Sequence, residues 1–339
     1  MHVKFRHMKK AVFIRLDKIG DLICTLPVDQ VDDLRDWEIT WIIAKGLSFV
    51  TDHSVPRRKY LELDKNDPAT SKQRLEQFLK EFRPDVAISF QAPWWVNYLL
   101  WKNGVAQRIG VISKWHSLLF LNAGLRQKRS QSIKHEADYN LDLVRKITDA
   151  SIHETTAPVL KLKADSFAEL FSRYGLRTKG YVVVHPGMAG SALNWPIENY
   201  VELIEKLVLQ IPVVLTGTAA DEAWLRDIRL KFQNHPRVLN LQSQLNPAEL
   251  LAVLAEAHSV YAPSTGVLHL AASLGTKVFG FYSPVQVQAA IRWGARGRQV
   301  HLFTPEVSCP AKHHCLREAC PHYLCMRRIS VSQILTEPL

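Results

Sequence analysis

Short apolar runs closed by polar turns, each followed by apolar residues at helical spacing, recur along almost the whole chain. In the first half, residues 10–15 read as a buried strand. Leu22, Ile23 and Leu26 then fall on one side of a helix starting near Asp21. Residues 37–44 predict a strand, 72–82 an amphipathic helix, 85–90 a strand after Pro84, 108–111 a short strand and 137–147 a helix. The second half repeats the pattern with strands at 181–185 and 212–216, extended residues 238–241, and strands at 259–262 and 277–282. Between them lie helices at 197–209, 220–232, 247–257 (Pro247 in its first turn) and 267–274. Strands alternating with helices of about 10–15 residues predict parallel, doubly wound sheets. The fold class is therefore α/β, with twin Rossmann-like domains over residues 1–157 and 158–325 joined by a link around 154–163.

Length and composition agree with that division. A chain of 339 residues, 47% hydrophobic and 22% charged, has the composition of a folded protein and exceeds one ordinary core. No stretch approaches the roughly 18 uncharged apolar residues of a membrane span. The basic opening, residues 1–10, runs into Arg15, Asp17 and Lys18 where a signal peptide needs an unbroken apolar core. A cytoplasmic location is the expectation. The net charge of +11 is unevenly spread, because no acidic residue lies between Asp85 and Glu136. That interval holds Lys102, Arg108, Lys114, Arg126, Lys128, Arg129 and Lys134 among Trp94, Trp95, Tyr98, Trp101, Trp115 and Phe120. Such a tract is either a solvated basic surface or a patch for nucleic acid, an anionic membrane face or a phosphorylated substrate.

Three strand-to-helix turns carry candidate chemistry. Gly20 and Asp21 stand where the first strand hands over to a helix, the edge at which open α/β sheets place their ligands. The carboxylate there could accept a proton or cap the helix. At Ser264, Thr265 and Gly266 a strand meets an apolar helix, so free N–H groups and two hydroxyls could cradle a diphosphate. His269 lies one turn further on. The loop with Gly187, Met188, Ala189, Gly190 and Ser191 joins another strand to a helix, and its glycines allow close approach of backbone to phosphate. Asp221 and Glu222 could hydrogen-bond a ribose or cap a helix, and Leu245 is a candidate wall of a nucleobase pocket.

Residues 15–21, Arg-Leu-Asp-Lys-Ile-Gly-Asp, resemble the N-terminal signature of the family 9 glycosyltransferases, the family of the ADP-heptose:lipopolysaccharide heptosyltransferases. Ser-Thr-Gly-Val-Leu-His-Leu at 264–270 resembles that family's donor-binding motif, and the loop ending in Trp195-Pro196 resembles a second donor loop. Two positions depart from the family pattern. Leu193 stands where characterised heptosyltransferases have a lysine, and Ser264 where they commonly have Asp. The resemblance implies a GT-B fold, with acceptor bound by the first domain, nucleotide sugar by the second, and residues 326–339 packing back on the first. It implies inverting, metal-independent transfer with Asp21 as general base and no cofactor beyond the sugar donor, taken to be ADP-heptose. The implied acceptor is the lipopolysaccharide inner core or a related anionic glycolipid, met by Lys18, Gly20, Arg57, Arg58, Arg108 and Arg126 at the inner membrane face. No nucleic-acid partner is expected. A nucleotide-sugar epimerase of the same fold and a nonenzymatic nucleic-acid binder are the alternatives.

Cys309, Cys315, Cys320 and Cys325 are spaced C-x5-C-x4-C-x4-C, with His313, His314 and His322 among them. A reducing compartment disfavours stable disulfides. Four thiolates could hold zinc, but the close C-x2-C pairs of most zinc knuckles are missing, leaving reduced or redox-labile thiols as the main reading. A similar Cys-rich tail is a further point of likeness to the family. Cys24 stands apart and reads as a core residue.

Overall fold

The computed structural model describes residues 8–113, 115–149, 156–162, 167–188, 190 and 192–336. It separates into two compact units, Met1–Lys128 with Glu136–Pro158, and Arg129–His135 with Val159–Leu339. The link expected around 154–163 falls partly outside the described residues, and the short segment Arg129–His135 groups with the second unit.

The first unit is a six-stranded parallel sheet of β1 (Lys10–Arg15), β2 (Glu38–Ala44), β3 (Lys59–Leu63), β4 (Val86–Gln91), β5 (Gln107–Val111) and β6 (Ala123–Leu125). Their order across the sheet is β3-β2-β1-β4-β5-β6. The second unit repeats the plan with β7 (Val182–Val184), β8 (Val213–Leu215), β9 (Val238–Asn240), β10 (Ser259–Pro263), β11 (Lys277–Phe281) and β12 (Val300–Phe303), ordered β12-β11-β10-β7-β8-β9. Each is the doubly wound order, in which the chain reverses direction across the sheet between its first and fourth strands. Those switch points are β1/β4 and β7/β10.

Central strands of such sheets are covered on both faces and so read as continuous apolar runs. Ala11, Val12, Phe13 and Ile14 of β1 are wholly buried, as are Val182, Val183 and Val184 of β7. Phe13 packs edge-on to Trp41 and Phe90, with ring centroids 5.5 and 5.6 Å away. In the second unit Trp195 lies 4.3 Å from Phe281, and its indole N–H donates to the Ile329 carbonyl at 2.9 Å.

That last bond bears on the chain's closing segment. Met326, Ile329, Val331 and Ile334 join the second unit's core around β7, β8 and helix Ile197–Leu207. The expectation that 326–339 packs on the first domain is thus corrected over its described part. Trp195 and Asn199 both donate to the Ile329 carbonyl and hold the segment there.

Candidate active site

In the first unit the site grows from the end of β1. The register of β1 against β4 shifts between Ile14 and Arg15, so that Arg15 pairs with Gln91. A shift of this kind re-aims the side chain next to it. Arg15 points into the unit, with only 3% of its side chain exposed, and its Nη2 donates to Asp21 Oδ1 at 2.6 Å. The guanidinium also pairs with Asp17 at 3.2 Å and with buried Glu136 at 3.3 Å. Burial opposes this charge, but Asp17, Asp21 and Glu136 outweigh it and hold Arg15 above the usual guanidinium range.

Asp21 is not the helix cap. Helix Ile19–Thr25 begins before it, the N-cap position is Lys18, and no side chain caps that end. Asp21 sits in the first turn with 19% of its side chain exposed, one oxygen on Arg15. Its backbone carbonyl accepts from Thr25 Oγ1 at 2.7 Å; Thr25 in turn accepts from Asn140 Nδ2 at 3.0 Å. Sequence reading missed Arg15, Glu136 and Asn140 as a set. The available signal was Glu136 and Asn140, four apart and so on one side of a helix, the side that also carries Ala137, Leu141 and Val144.

The residues proposed for acceptor binding divide by sheet edge. Lys18, Gly20 and Arg126 lie at the C-terminal edge with Asp21, following β1 and β6. Arg57 and Arg58 precede β3, whose Lys59 is level with Thr40 and hence with Val12, at the opposite end of the strands. Arg58 is buried in a two-pronged pair with Asp29, at 2.6 and 2.7 Å, and also donates to the Leu26 carbonyl. Arg57 reaches Asp52. Arg108, at the start of β5, donates to the carbonyls of Val105 and Phe120, and burial pushes its pKa down. Arg58 and Arg108 help hold the first unit together, while Arg57 is exposed at the edge away from Asp21, and all three are left out of the acceptor set proposed below.

In the second unit both candidate loops leave the C-terminal ends of adjacent strands. Ser264 and Thr265 follow β10, and helix Gly266–Ser273 begins with Thr265 as N-cap. Thr265 makes no side-chain cap bond, so its hydroxyl is not spent on the helix's own N–H groups. His269 is buried on this helix, and burial, with His135 adding, pushes its pKa down to about 3. It is neutral at pH 7, a hydrogen-bonding group and not a cation.

His185 directly follows β7 at the start of the other loop. Its Nδ1 lies 3.0 Å from Thr216 Oγ1, and burial lowers its pKa to about 4 while Asp221 pulls it up. Gly187 is required by packing, because a Cβ there would stand 2.3 Å from Asp221 Cγ. Gly190 takes φ +66°, a conformation that favours glycine. Asn194 Nδ2 donates to the Pro186 carbonyl at 2.7 Å and ties the two ends of the loop. Met188 is buried; Ala189 and Ser191 lie outside the described residues.

Other proposed donor contacts have structural partners. Asp221 is buried and accepts from the Thr218 N–H and hydroxyl, both at 2.8 Å. Glu222 accepts from Arg229 and Gln242. Asp221 is a support beneath Gly187, so its assignment to a ribose is corrected. Leu245 is half-buried just before Asn246, the cap of helix Pro247–Ala255. Leu193 packs partly against the core, and its N–H donates to Gln288 Oε1 at 3.2 Å.

Cys309, Cys315, Cys320 and Cys325 line one largely apolar cavity of 370 Å³. All are free thiols, and burial together with the other three raises the pKa of Cys325. Among the described residues no group of three or more His, Cys, Asp or Glu is placed to hold a metal ion. Cys24 is buried in the first unit.

Two doubly wound units, each with functional loops at its switch point, define the architecture of a GT-B glycosyltransferase. The profile of glycosyltransferase family 9 (heptosyltransferase) matches residues 72–319, and the chain belongs to that family. The chain is 29% identical to a Haemophilus influenzae protein provisionally assigned as a glycosyltransferase, over 84% of this chain and 86% of that one. The family 9 glycosyl transferase from Veillonella parvula superposes with a TM-score of 0.80 at 19% identity, covering 97% of this chain and 95% of the other. Escherichia coli heptosyltransferase WaaC with ADP-2-deoxy-2-fluoro heptose does so with a TM-score of 0.63 at 16% identity, over 96% and 97%. This chain is a glycosyltransferase, and the nonenzymatic nucleic-acid reading is set aside.

Two outcomes test the site. Arg15→Met would leave three carboxylates without their shared cation, and should cost about 3–5 kcal/mol in urea unfolding. A loss below about 1 kcal/mol would show that Arg15 does not carry the cluster. The second concerns acid. Unfolded, His185 and His269 titrate at the ordinary 6.5; folded, only near 4 and 3. Below 6.5 the unfolded chain therefore binds more protons, and stability falls with pH. The two groups should together remove roughly 2–4 kcal/mol between about pH 7 and pH 5, and His269→Gln should flatten that slope. An unchanged slope in the variant would contradict the buried, neutral state of His269.

Proposed function

We propose that this enzyme transfers a heptose from ADP-heptose onto a lipopolysaccharide inner-core sugar or a related anionic glycolipid, with inversion at the anomeric carbon. The observation that carries the reading is the Arg15–Asp21 pair at the end of β1, a carboxylate oriented by a buried cation at a switch point. Asp21 would take the proton of an acceptor hydroxyl as that oxygen attacks the sugar. Its exposed face is available for this, because Arg15 engages one oxygen from the buried side.

The departing diphosphate would be held by the second unit. Supporting this are the N–H groups opening helix Gly266–Ser273, the uncommitted Thr265 hydroxyl and the backbone of Gly187, Met188 and Gly190. His269 would add a neutral hydrogen bond. Ser264 and Leu193 make the cradle less charged than the family pattern, with Leu193 giving its side chain to the core. We read the diphosphate as stabilised by helix N–H groups without a divalent cation. Heptose and ADP are favoured by the family's description and by the ligand named for WaaC. Lys18, Gly20 and Arg126 are the remaining acceptor contacts, and a cytoplasmic position at the inner membrane face follows from a lipid-linked acceptor.

Two measurements on one variant separate binding from chemistry. Asp21→Asn should lower kcat by about 10²–10⁴ while ADP-heptose raises its melting temperature as in the parent protein. Near-full transfer by folded Asp21→Asn would remove the general-base role. A parent protein stabilised by UDP-sugars and not by ADP-heptose would overturn the donor.

A further inference from the structure

The first unit carries an exposed aromatic and aliphatic face that the transfer chemistry does not use. Helices Trp94–Lys102 and Trp115–Phe120 follow the neighbouring strands β4 and β5 and pack on each other. Trp94, Trp101, Trp115, Leu118 and Leu119 on these helices are between 50% and 74% exposed. Trp94 and Trp101 share one side of their helix with Tyr98, and Trp115, Leu118 and Leu119 lie on the helix packed beside it. The Tyr98 ring lies 6.4 Å from Trp94, 5.9 Å from Trp101 and 5.6 Å from Phe120. An ordered apolar patch of this kind marks an interaction site in a water-soluble fold.

Charge says what covers it. Residues 86–128, which contain both helices, carry Lys102, Arg108, Lys114, Arg126 and Lys128 and no Asp or Glu. At the rim, Lys72 stands 6.0 Å over the Trp94 ring, and Lys102 reaches Glu76 at 3.0 Å on the neighbouring helix. The arrangement is an apolar centre with Lys72 and the Lys102–Glu76 pair at its margin.

We propose that this face docks on an anionic bilayer surface. Trp115, Leu118 and Leu119 would enter the boundary between headgroups and acyl chains, with Lys72 at the phosphates. Trp and Tyr rings favour that interfacial zone, and anionic lipids attract the basic rim. A single-stranded nucleic acid fits less well. Leu118 and Leu119 offer no ring to stack on, and the rings of Trp94, Tyr98, Trp101 and Phe120 tilt against one another at 38–72° instead of leaving open slots for bases. Both helices leave the C-terminal edge of the sheet, the edge that carries Asp21, so docking would bring the bilayer to the acceptor side of the unit. The inference rests on the proposed function only for the lipid-linked nature of the acceptor.

The test is co-sedimentation of the full chain with phosphatidylcholine vesicles, with or without phosphatidylglycerol. Binding should require the anionic lipid, weaken with salt, and fall about tenfold or more in the double variant Leu118→Ser with Leu119→Ser. Trp115→Ser is an independent second variant. Both variants should melt as the parent does and keep its stabilisation by ADP-heptose, since the altered side chains are exposed and outside the donor unit. Equal vesicle binding by parent and variants, no binding to anionic vesicles, or binding only to single-stranded RNA would each overturn the proposal. Vesicle binding retained in a protein that no nucleotide sugar stabilises would uphold docking while removing the donor reading, so the two fail separately.

Discussion

One buried guanidinium organises the first unit's site. Arg15 draws Asp17, Asp21 and Glu136 from a strand end, a helix start and a second helix 121 residues further along the chain. Without that cation, three carboxylates would repel one another in a poorly solvated space. With it, Asp21 is fixed in orientation while part of its surface stays open to solvent. A helix cap would have turned the same side chain toward its own backbone, away from any acceptor. The Thr25–Asn140 bond locks the same turn from the other side.

The second unit solves a complementary problem. In the proposed reaction a diphosphate needs positive potential, and in that reading the second unit would supply it largely from backbone dipoles. Gly187 lets one loop close down on Asp221, Asn194 ties that loop's ends, and Thr265 leaves the first turn of the next helix uncapped by its side chain. His185 and His269 are held neutral by burial, so they shape the pocket without adding charge. Leu193 follows the same economy, contributing to packing where the family pattern has a cation.

Much of this plan was legible in the sequence, for physical reasons that also mark its limits. The central strands are sandwiched on both faces, so β1, β4, β7, β10 and β11 stand out as unbroken apolar runs. The edge strands β3, β6 and β12 are covered less and went unread, since partial exposure dilutes the pattern. Helix Trp94–Lys102 was missed for the opposite reason: Trp-Trp-Val-Asn-Tyr-Leu-Leu-Trp is apolar on almost every face and shows no 3.6-residue period. At the sites, the strand-to-helix turns with Asp21 and Thr265 were readable from local pattern. Charge alone could not show that Arg58 and Arg108 serve the fold, because local sequence does not reveal that Asp29 lies beside Arg58 or that two carbonyls take up Arg108. The closing helix was misplaced likewise, its partner being the Trp195 region more than a hundred residues earlier.

The account depends on a single displacement in which Asp21 activates the attacking hydroxyl. Its most direct test is the anomeric configuration of the newly transferred sugar, read by proton NMR of the glycosidic product. Inversion relative to the nucleotide sugar is the predicted result. Retention would require a second displacement or attack from the leaving-group face, and would contradict the role given to the carboxylate that Arg15 holds.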